Sequence, residues 1–275
     1  MSYETLAVSV ADGVAELTVN RPEKGNALSP TALEEIGDAV EAVRDEAQVL
    51  VVTGAGDYFC TGLDLDLFFE EARKDGPDTV RANTRQHGRA FNGLKEFPGI
   101  TIAKVNGYTV GGGYMLMGVC DLAVAATGAT FSLSEINFGH PPGGGVMWCI
   151  INTMDRRDAL YYSATGEPFD AAAADEMGVV NEVVPADSLD ERTAELAAEI
   201  ADKDTLALEY TKTFYERVRG MDFDEAREYE LAKGEEMKYY QGYEFLDEGI
   251  GGFTRDEYQP AAGENYRSRD EDHPE

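Results

Sequence analysis

An α/β fold is predicted by the way strand-like apolar runs alternate with helical stretches over the first half of the chain. Two further observations refine it. Beyond about residue 150 the pattern turns almost wholly helical, and two glycine-rich stretches each directly follow a strand-like run. The first stretch is Gly54-Ala-Gly-Asp-Tyr-Phe-Cys-Thr-Gly-Leu-Asp-Leu65, and the second is Val105–Asp121 with the triplet Gly111-Gly-Gly113.

The chain opens on a predicted hairpin. Leu6–Val10 and Val14–Val19 are apolar-alternating runs separated by Ala11-Asp-Gly13, and Asp-Gly is a strong turn signal. Asn20–Asn26 breaks the pattern as a loop. A helix is predicted from Ser29 to about Arg44, with Ser29 as N-cap and Pro30 in the first helical position. Val49–Thr53 reads as a strand, Leu65–Arg73 and Thr79–Glu96 as helices, and Ile100–Val105 as a strand. The triple glycine opens a further helix. Asp121–Ala126 and Thr130–Leu133 are strand-like. The predicted helices of the later region are Met154–Thr165, Asp170–Met177, Leu189–Lys203, Asp204–Val218 and Phe223–Phe245. Residues 261–275 are polar and acidic and are expected to form a mobile tail.

With 275 residues, 43% of them hydrophobic, the chain can bury a full-sized core. No uninterrupted apolar run reaches the ~18 residues of a membrane span. The first residues lack the basic flank and apolar core of a signal peptide, and the three cysteines form no CxxC pair, so a reducing cytoplasmic setting is expected. The charge is unusual: 53 acidic against 23 basic residues give a net −30. Such a surface makes nucleic acid and anionic membranes poor partners. Only eight of the basic residues are lysines, a balance that resembles proteins of salt-loving microbes.

The glycine stretches carry the chemistry. Glycine lets a ligand approach the backbone closely, and exposed N–H groups at such turns are ready hydrogen-bond donors. Two donors aimed at one carbonyl would form an oxyanion hole.

In order and spacing, Asn20-Arg-Pro-Glu-Lys-Gly-Asn-Ala-Leu28, Gly54…Phe59-Cys-Thr-Gly-Leu-Asp-Leu65, Val105-Asn-Gly…Gly113…Cys120-Asp121 and Phe131-Ser-Leu-Ser-Glu-Ile-Asn-Phe-Gly139 resemble the crotonase superfamily, the enoyl-CoA hydratase/isomerase group. Pro141-Pro-Gly143, Thr165–Pro185 and Asp247–Phe253 extend the resemblance over roughly residues 5–260. It implies a spiral of ββα turns over residues 1–200, a helical oligomerisation region over 201–260, and a homotrimer or hexamer. It also implies an acyl-CoA thioester substrate, no metal, and no cofactor beyond the CoA of the substrate. The backbone N–H groups of Leu63 and Gly112 would hold the thioester oxygen, and Glu135 would be the acid/base. Contacts to CoA or the acyl group are implied at Lys24, Ala27, Thr61, Asp64, Leu65, Met115 and Phe253. Lys24 has an exposed loop lysine as its plainer reading, and Asp64 is also a candidate helix cap.

Related hydratases carry a second glutamate where this chain has Met115. A single base suits moving a double bond, so isomerisation is slightly favoured over hydration. Hydroxycinnamoyl-CoA hydratase-lyases are a rival resemblance, through Leu133–Gly139, Pro141-Pro-Gly143 and Leu160-Tyr-Tyr162. Those enzymes carry a serine at the Met115 position and a tyrosine whose place falls on Leu231, and both are absent here. A non-catalytic acyl-CoA-binding protein is the alternative from another class. Cys60, His140, Tyr161 and Tyr162 read as packing or loop residues, and Asp121 as a structural residue.

Overall fold

The computed structural model describes residues 2–243, 245–257 and 259–260. The predicted tail, residues 261–275, lies outside them. The chain divides into two compact units, residues 1–97 with 101–197, and residues 98–100 with 198–275.

The first unit is built from paired strands. β1 (Leu6–Ala11) and β2 (Val14–Val19) form the predicted hairpin, and its turn residues Asp12 and Gly13 both have positive φ, 50° and 72°. A primed turn of this hand matches strand twist, which is why Asp-Gly marks it. Next come β3 (Val49–Gly54) and β4 (Tyr58–Cys60), then β5 (Ile100–Val105) and β6 (Tyr108–Val110), then β7 (Leu122–Ala126) and β8 (Thr130–Ser132). β9 (Phe169–Asp170) and β10 (Glu182–Val184) complete the set. The strands sort into a six-stranded sheet, β1-β2-β3-β5-β7-β10, and a four-stranded sheet, β4-β6-β8-β9. Each pair β3/β4, β5/β6 and β7/β8 thus gives its first strand to one sheet and its second to the other, which is the repeating turn of a spiral. β4 pairs parallel with β6, and β6 parallel with β8. Their carboxyl ends therefore lie side by side.

Helices cover these layers. α1 (Pro30–Val43) starts where predicted, with the Ser29 hydroxyl accepting from Ala32 N–H. Its apolar stripe of Leu33, Ile36, Val40 and Val43 is buried. The predicted Leu65–Arg73 helix is instead a π-helical turn, Asp66–Glu71, running into the short α2 (Ala72–Asp75). α3 (Pro77–Lys95) packs along α1, and α4 (Gly112–Gly118) is a short, almost fully buried helix. α5 (Val146–Thr153) was not expected from the sequence. α6 (Arg156–Thr165) and α7 (Ala171–Glu176) follow, N-capped by Asp155 and Asp170. Buried Lys104 on β5 pairs with Glu16 at 2.8 Å and Asp190 at 2.7 Å, so its ammonium is not left uncompensated. Asp121 accepts from the Thr101 N–H and hydroxyl, at 2.8 and 2.9 Å, in the structural role expected.

α8 (Leu189–Ala201) leads toward the second unit, whose helices are α9 (Thr205–Val218), α10 (Phe223–Tyr240) and α11 (Gly251–Thr254). α10 carries a complete capping box between Asp222 and Glu225. It ends at Tyr240, five residues before the expected Phe245.

Candidate active site

Three neighbouring strand ends deliver the site. After β4 comes Thr61-Gly62-Leu63, after β6 comes Gly111-Gly112, and after β8 comes Leu133-Ser134-Glu135. In parallel sheets the loops leaving the carboxyl ends are where ligands bind.

Leu63 is held by a parallel bridge to Leu28. Leu28 N–H donates to Gly62 O at 2.8 Å, and Asp64 N–H donates to Leu28 O at 3.0 Å. Strand alternation then turns Leu63's own N–H to the opposite side. That side is occupied by the second glycine stretch: a Cβ built on Gly112 would lie 3.2 Å from Leu63 N. Gly111 turns the chain there at φ 50°, ψ −109°, and its N–H donates to Ser132 O at 3.1 Å, tying the end of β6 to the end of β8. A Cβ on Gly113 would collide with the Cys60 carbonyl oxygen, so only glycine allows α4 to begin this close to β4. Among the described residues, neither the Leu63 nor the Gly112 N–H has a protein acceptor.

Glu135 sits in a 3₁₀ turn, Ser134–Phe138. Its carboxylate reaches back over the glycine turn, with Oε1 3.0 Å from the place a Gly111 Cβ would take. Oε2 is buried and has no hydrogen-bond partner among the described residues. Burial holds this carboxyl above the usual carboxylate range; its own backbone N–H and His140 pull more weakly the other way. A partly desolvated carboxyl with raised proton affinity, beside paired N–H donors, can take up and return a proton next to a polarised carbonyl.

Met115, one turn into α4, is buried, and its thioether packs where a Gly145 Cβ would stand. The position that could have held a second carboxylate therefore carries a packed apolar side chain.

Arg21 organises the remaining loop residues. Its guanidinium donates to Ala27 O and pairs with Asp64 at 3.0 Å, with both side chains largely buried. Asp64 also accepts from Leu67 N–H at 3.3 Å, although the N-cap position of the Asp66–Glu71 turn is Leu65, which has no side-chain cap bond. Thr61 N–H donates to Gly25 O at 3.0 Å and its hydroxyl to Lys24 O at 3.4 Å, so Lys24, Ala27, Thr61 and Asp64 form one connected rim beside Leu63. Lys24 and Leu65 are exposed. Phe253 lies on α11 of the second unit, half-exposed, as does Leu231 on α10.

Cys60 is fully buried, and burial pushes its thiol up to about 12, which fits packing and excludes a resting thiolate. His140 is exposed, with its Nδ1 2.6 Å from Pro141 O. Tyr161 donates to Glu167, and Tyr162 packs on Phe169. His87 was missed in the sequence. Its signal was its place at i+4 from Asn83 and i−4 from Phe91, on the inner stripe of α3.

A family model described as enoyl-CoA hydratase/isomerase matches residues 9–254. The chain belongs to the enoyl-CoA hydratase/isomerase family. Within this crotonase superfamily it is 37% identical to a hydroxycinnamoyl-CoA hydratase-lyase of Pseudomonas fluorescens, over 92% of this chain and 93% of that one. It is 34% identical to a 2,3-dehydroadipyl-CoA hydratase of Escherichia coli K12, over 75% and 80% of the two chains. Among solved structures, an enoyl-CoA hydratase from Bacillus anthracis superposes with a TM-score of 0.77 at 27% identity, covering 92% of this chain and 96% of that one. The spiral of strand pairs is thus the family's fold. Among the described residues, no group of His, Cys, Asp and Glu side chains is arranged to hold a metal ion, and no helix is long and apolar enough to cross a membrane.

Proposed function

We propose that the protein is a single-glutamate enoyl-CoA enzyme that adds water to the double bond of a 2-enoyl-CoA thioester. The observation that carries this reading is the delivery of Leu63, Gly112 and Glu135 by three adjacent parallel strand ends, with Glu135 Oε1 against the Gly111 turn. The thioester oxygen accepts from the Leu63 and Gly112 N–H groups. Glu135 takes a proton from water as the water oxygen bonds to the β-carbon. The double-bond electrons move onto the thioester as an enolate, and the protonated Glu135 returns its proton to the α-carbon. Only the enolate-like state carries charge on the held oxygen, so the two donors lower the barrier more than they strengthen substrate binding. The elevated Glu135 pKa keeps the returned proton available. The rim of Lys24, Ala27, Thr61, Asp64 and Leu65 is the CoA-facing side, where Lys24 offsets part of the repulsion between a −30 chain and a polyanion.

Two relatives, one a hydratase-lyase and one a hydratase, support water addition. A second reading, double-bond isomerisation, is favoured by one observation: buried Met115 leaves one base, which would remove a proton at C2 of a 3-enoyl thioester and return it at C4. Side-by-side assay of crotonyl-CoA, a 3-enoyl-CoA and a hydroxycinnamoyl-CoA in molar KCl decides between them. Turnover of the two 2-enoyl substrates supports hydration. Turnover of the 3-enoyl substrate alone replaces hydration by isomerisation, and turnover of none overturns both.

The exposed apolar side chains Phe138, Trp148, Ile151 and Leu160 on the first unit support self-assembly as a trimer or hexamer.

A further inference from the structure

His87 takes no part in the chemistry above, yet its neighbours tie it to both halves of the site. Its ring centroid lies 4.6 Å from that of Phe91 and 6.2 Å from that of Phe68. Phe68 stands one turn along the segment that carries Leu63, with its N–H donating to Asp64 O at 2.8 Å. Asn83, one turn before His87 on α3, donates to Phe68 O at 3.3 Å and fixes that segment in place.

The other neighbour is the glycine loop Gly143-Gly144-Gly145, which descends from Glu135. A Cβ on Gly144 would lie 3.6 Å from both Cε1 and Nε2 of His87. The adjacent Gly145 receives the Met115 thioether, whose Sδ lies 3.1 Å from a Cβ built there. Met115 in turn is one turn into the helix that Gly112 opens. His87 thus touches, through Phe68 and Gly144, the segments that lead from Leu63 and from Glu135, and Met115 packs on the adjacent Gly145.

Polar side chains on an inward helix face are ordinarily hydrogen-bonded within the protein. Among the described residues, neither His87 ring nitrogen has such a partner. We propose that His87 is a specificity-determining residue that hydrogen-bonds a hydroxyl group on the acyl tail of the thioester. This rests on the acyl-CoA reading above. Burial shifts the ring toward its uncharged form, which offers one N–H and one lone pair. A hydroxyl presents one donor and an acceptor and matches both. A wholly apolar tail would leave the imidazole unpaired.

The test compares the wild type, His87→Leu and His87→Gln on pairs of 2-enoyl-CoA thioesters that differ by one hydroxyl. The pairs are 4-hydroxycinnamoyl-CoA with cinnamoyl-CoA, and 6-hydroxyhex-2-enoyl-CoA with hex-2-enoyl-CoA. In at least one pair, His87→Leu should lower kcat/KM for the hydroxylated member by about tenfold or more, the size of one lost hydrogen bond in a closed site. The deoxy member should change less than about twofold, and His87→Gln should keep most of the preference. Equal losses on both members, or no loss on either, overturn the proposal. If His87→Leu unfolds, the wild-type ratio serves instead, and a wild type that does not favour a hydroxylated member overturns it. A wild type inactive on all four thioesters fails the acyl-CoA reading itself, an outcome distinct from loss of the His87 preference alone.

Discussion

Gly112→Ala isolates the oxyanion hole from the rest of the fold. Gly112 has no positive φ, so alanine meets no backbone penalty there. The added methyl instead meets Leu63 N at 3.2 Å, Gly62 Cα at 3.3 Å and Gly62 C at 3.4 Å. These gaps are tighter than ordinary contacts, so the ends of β4 and β6 must part by a few tenths of an ångström. Overpacking of this kind costs about 1–3 kcal/mol of stability, which a domain of this size survives. The same displacement moves both donors off one oxygen. Removal of one such donor costs roughly 10²–10³ in kcat. The expected outcome is a folded protein, by circular dichroism and thermal unfolding, whose kcat on its enoyl-CoA substrate falls about a hundredfold or more. Gly128→Ala is the control, because a Cβ there meets nothing within 4 Å. A folded Gly112→Ala protein with kcat within about threefold of wild type would refute the role given to these two N–H groups.

The acid limb of kcat/KM should lie above 4.5, the ordinary glutamate value, because burial raises the Glu135 pKa and the resting base must be deprotonated; a limb at or below that value removes Glu135 as the base. By the same sign, the folded state holds the Glu135 proton more tightly than the unfolded chain does. The stability this contributes is present below pH 4.5 and lost as pH rises through the folded value, so Glu135→Gln should raise the unfolding temperature at pH 7. Thermal stability should climb between 0.1 and 1 M KCl, where the screening length shortens from about 10 to 3 Å and the self-repulsion of −30 charges fades. A flat salt response would count against the resemblance to proteins of salt-loving microbes read from the charge balance. Light scattering in molar KCl should give a mass near three or six times 30.0 kDa; a monomer would contradict the proposed assembly.

Strong local signals made much of the fold legible. The Asp12-Gly13 hairpin, the Ser29 cap with Pro30, and the buried strands Val49–Gly54 and Ile100–Val105 stand where their residues predict. β4 and β6 escaped notice because each is three residues long and lies inside a glycine-rich stretch that reads as a loop, although they carry the site. α5 was missed because Gly143–Gly145 and the run Val146–Ile151 lack a capping residue. Part of the site was legible too: the glycine stretches and Glu135 stand out in sequence. Their convergence is a product of the parallel pairing of β4, β6 and β8, which no local pattern encodes. His87 was hidden for the same reason, since its partners Phe68 and Gly144 are remote in sequence.

Glu135→Gln tests the central claim most directly. Glutamine keeps the shape of the side chain in the Ser134–Phe138 turn but cannot accept a proton, so turnover should fall by about a thousandfold or more. Acyl-CoA binding, measured by calorimetry on the same protein, should persist, because the Leu63 and Gly112 donors and the Lys24 rim are untouched. A folded Glu135→Gln protein that turns over its enoyl-CoA substrate within about tenfold of wild type would contradict the single-glutamate account.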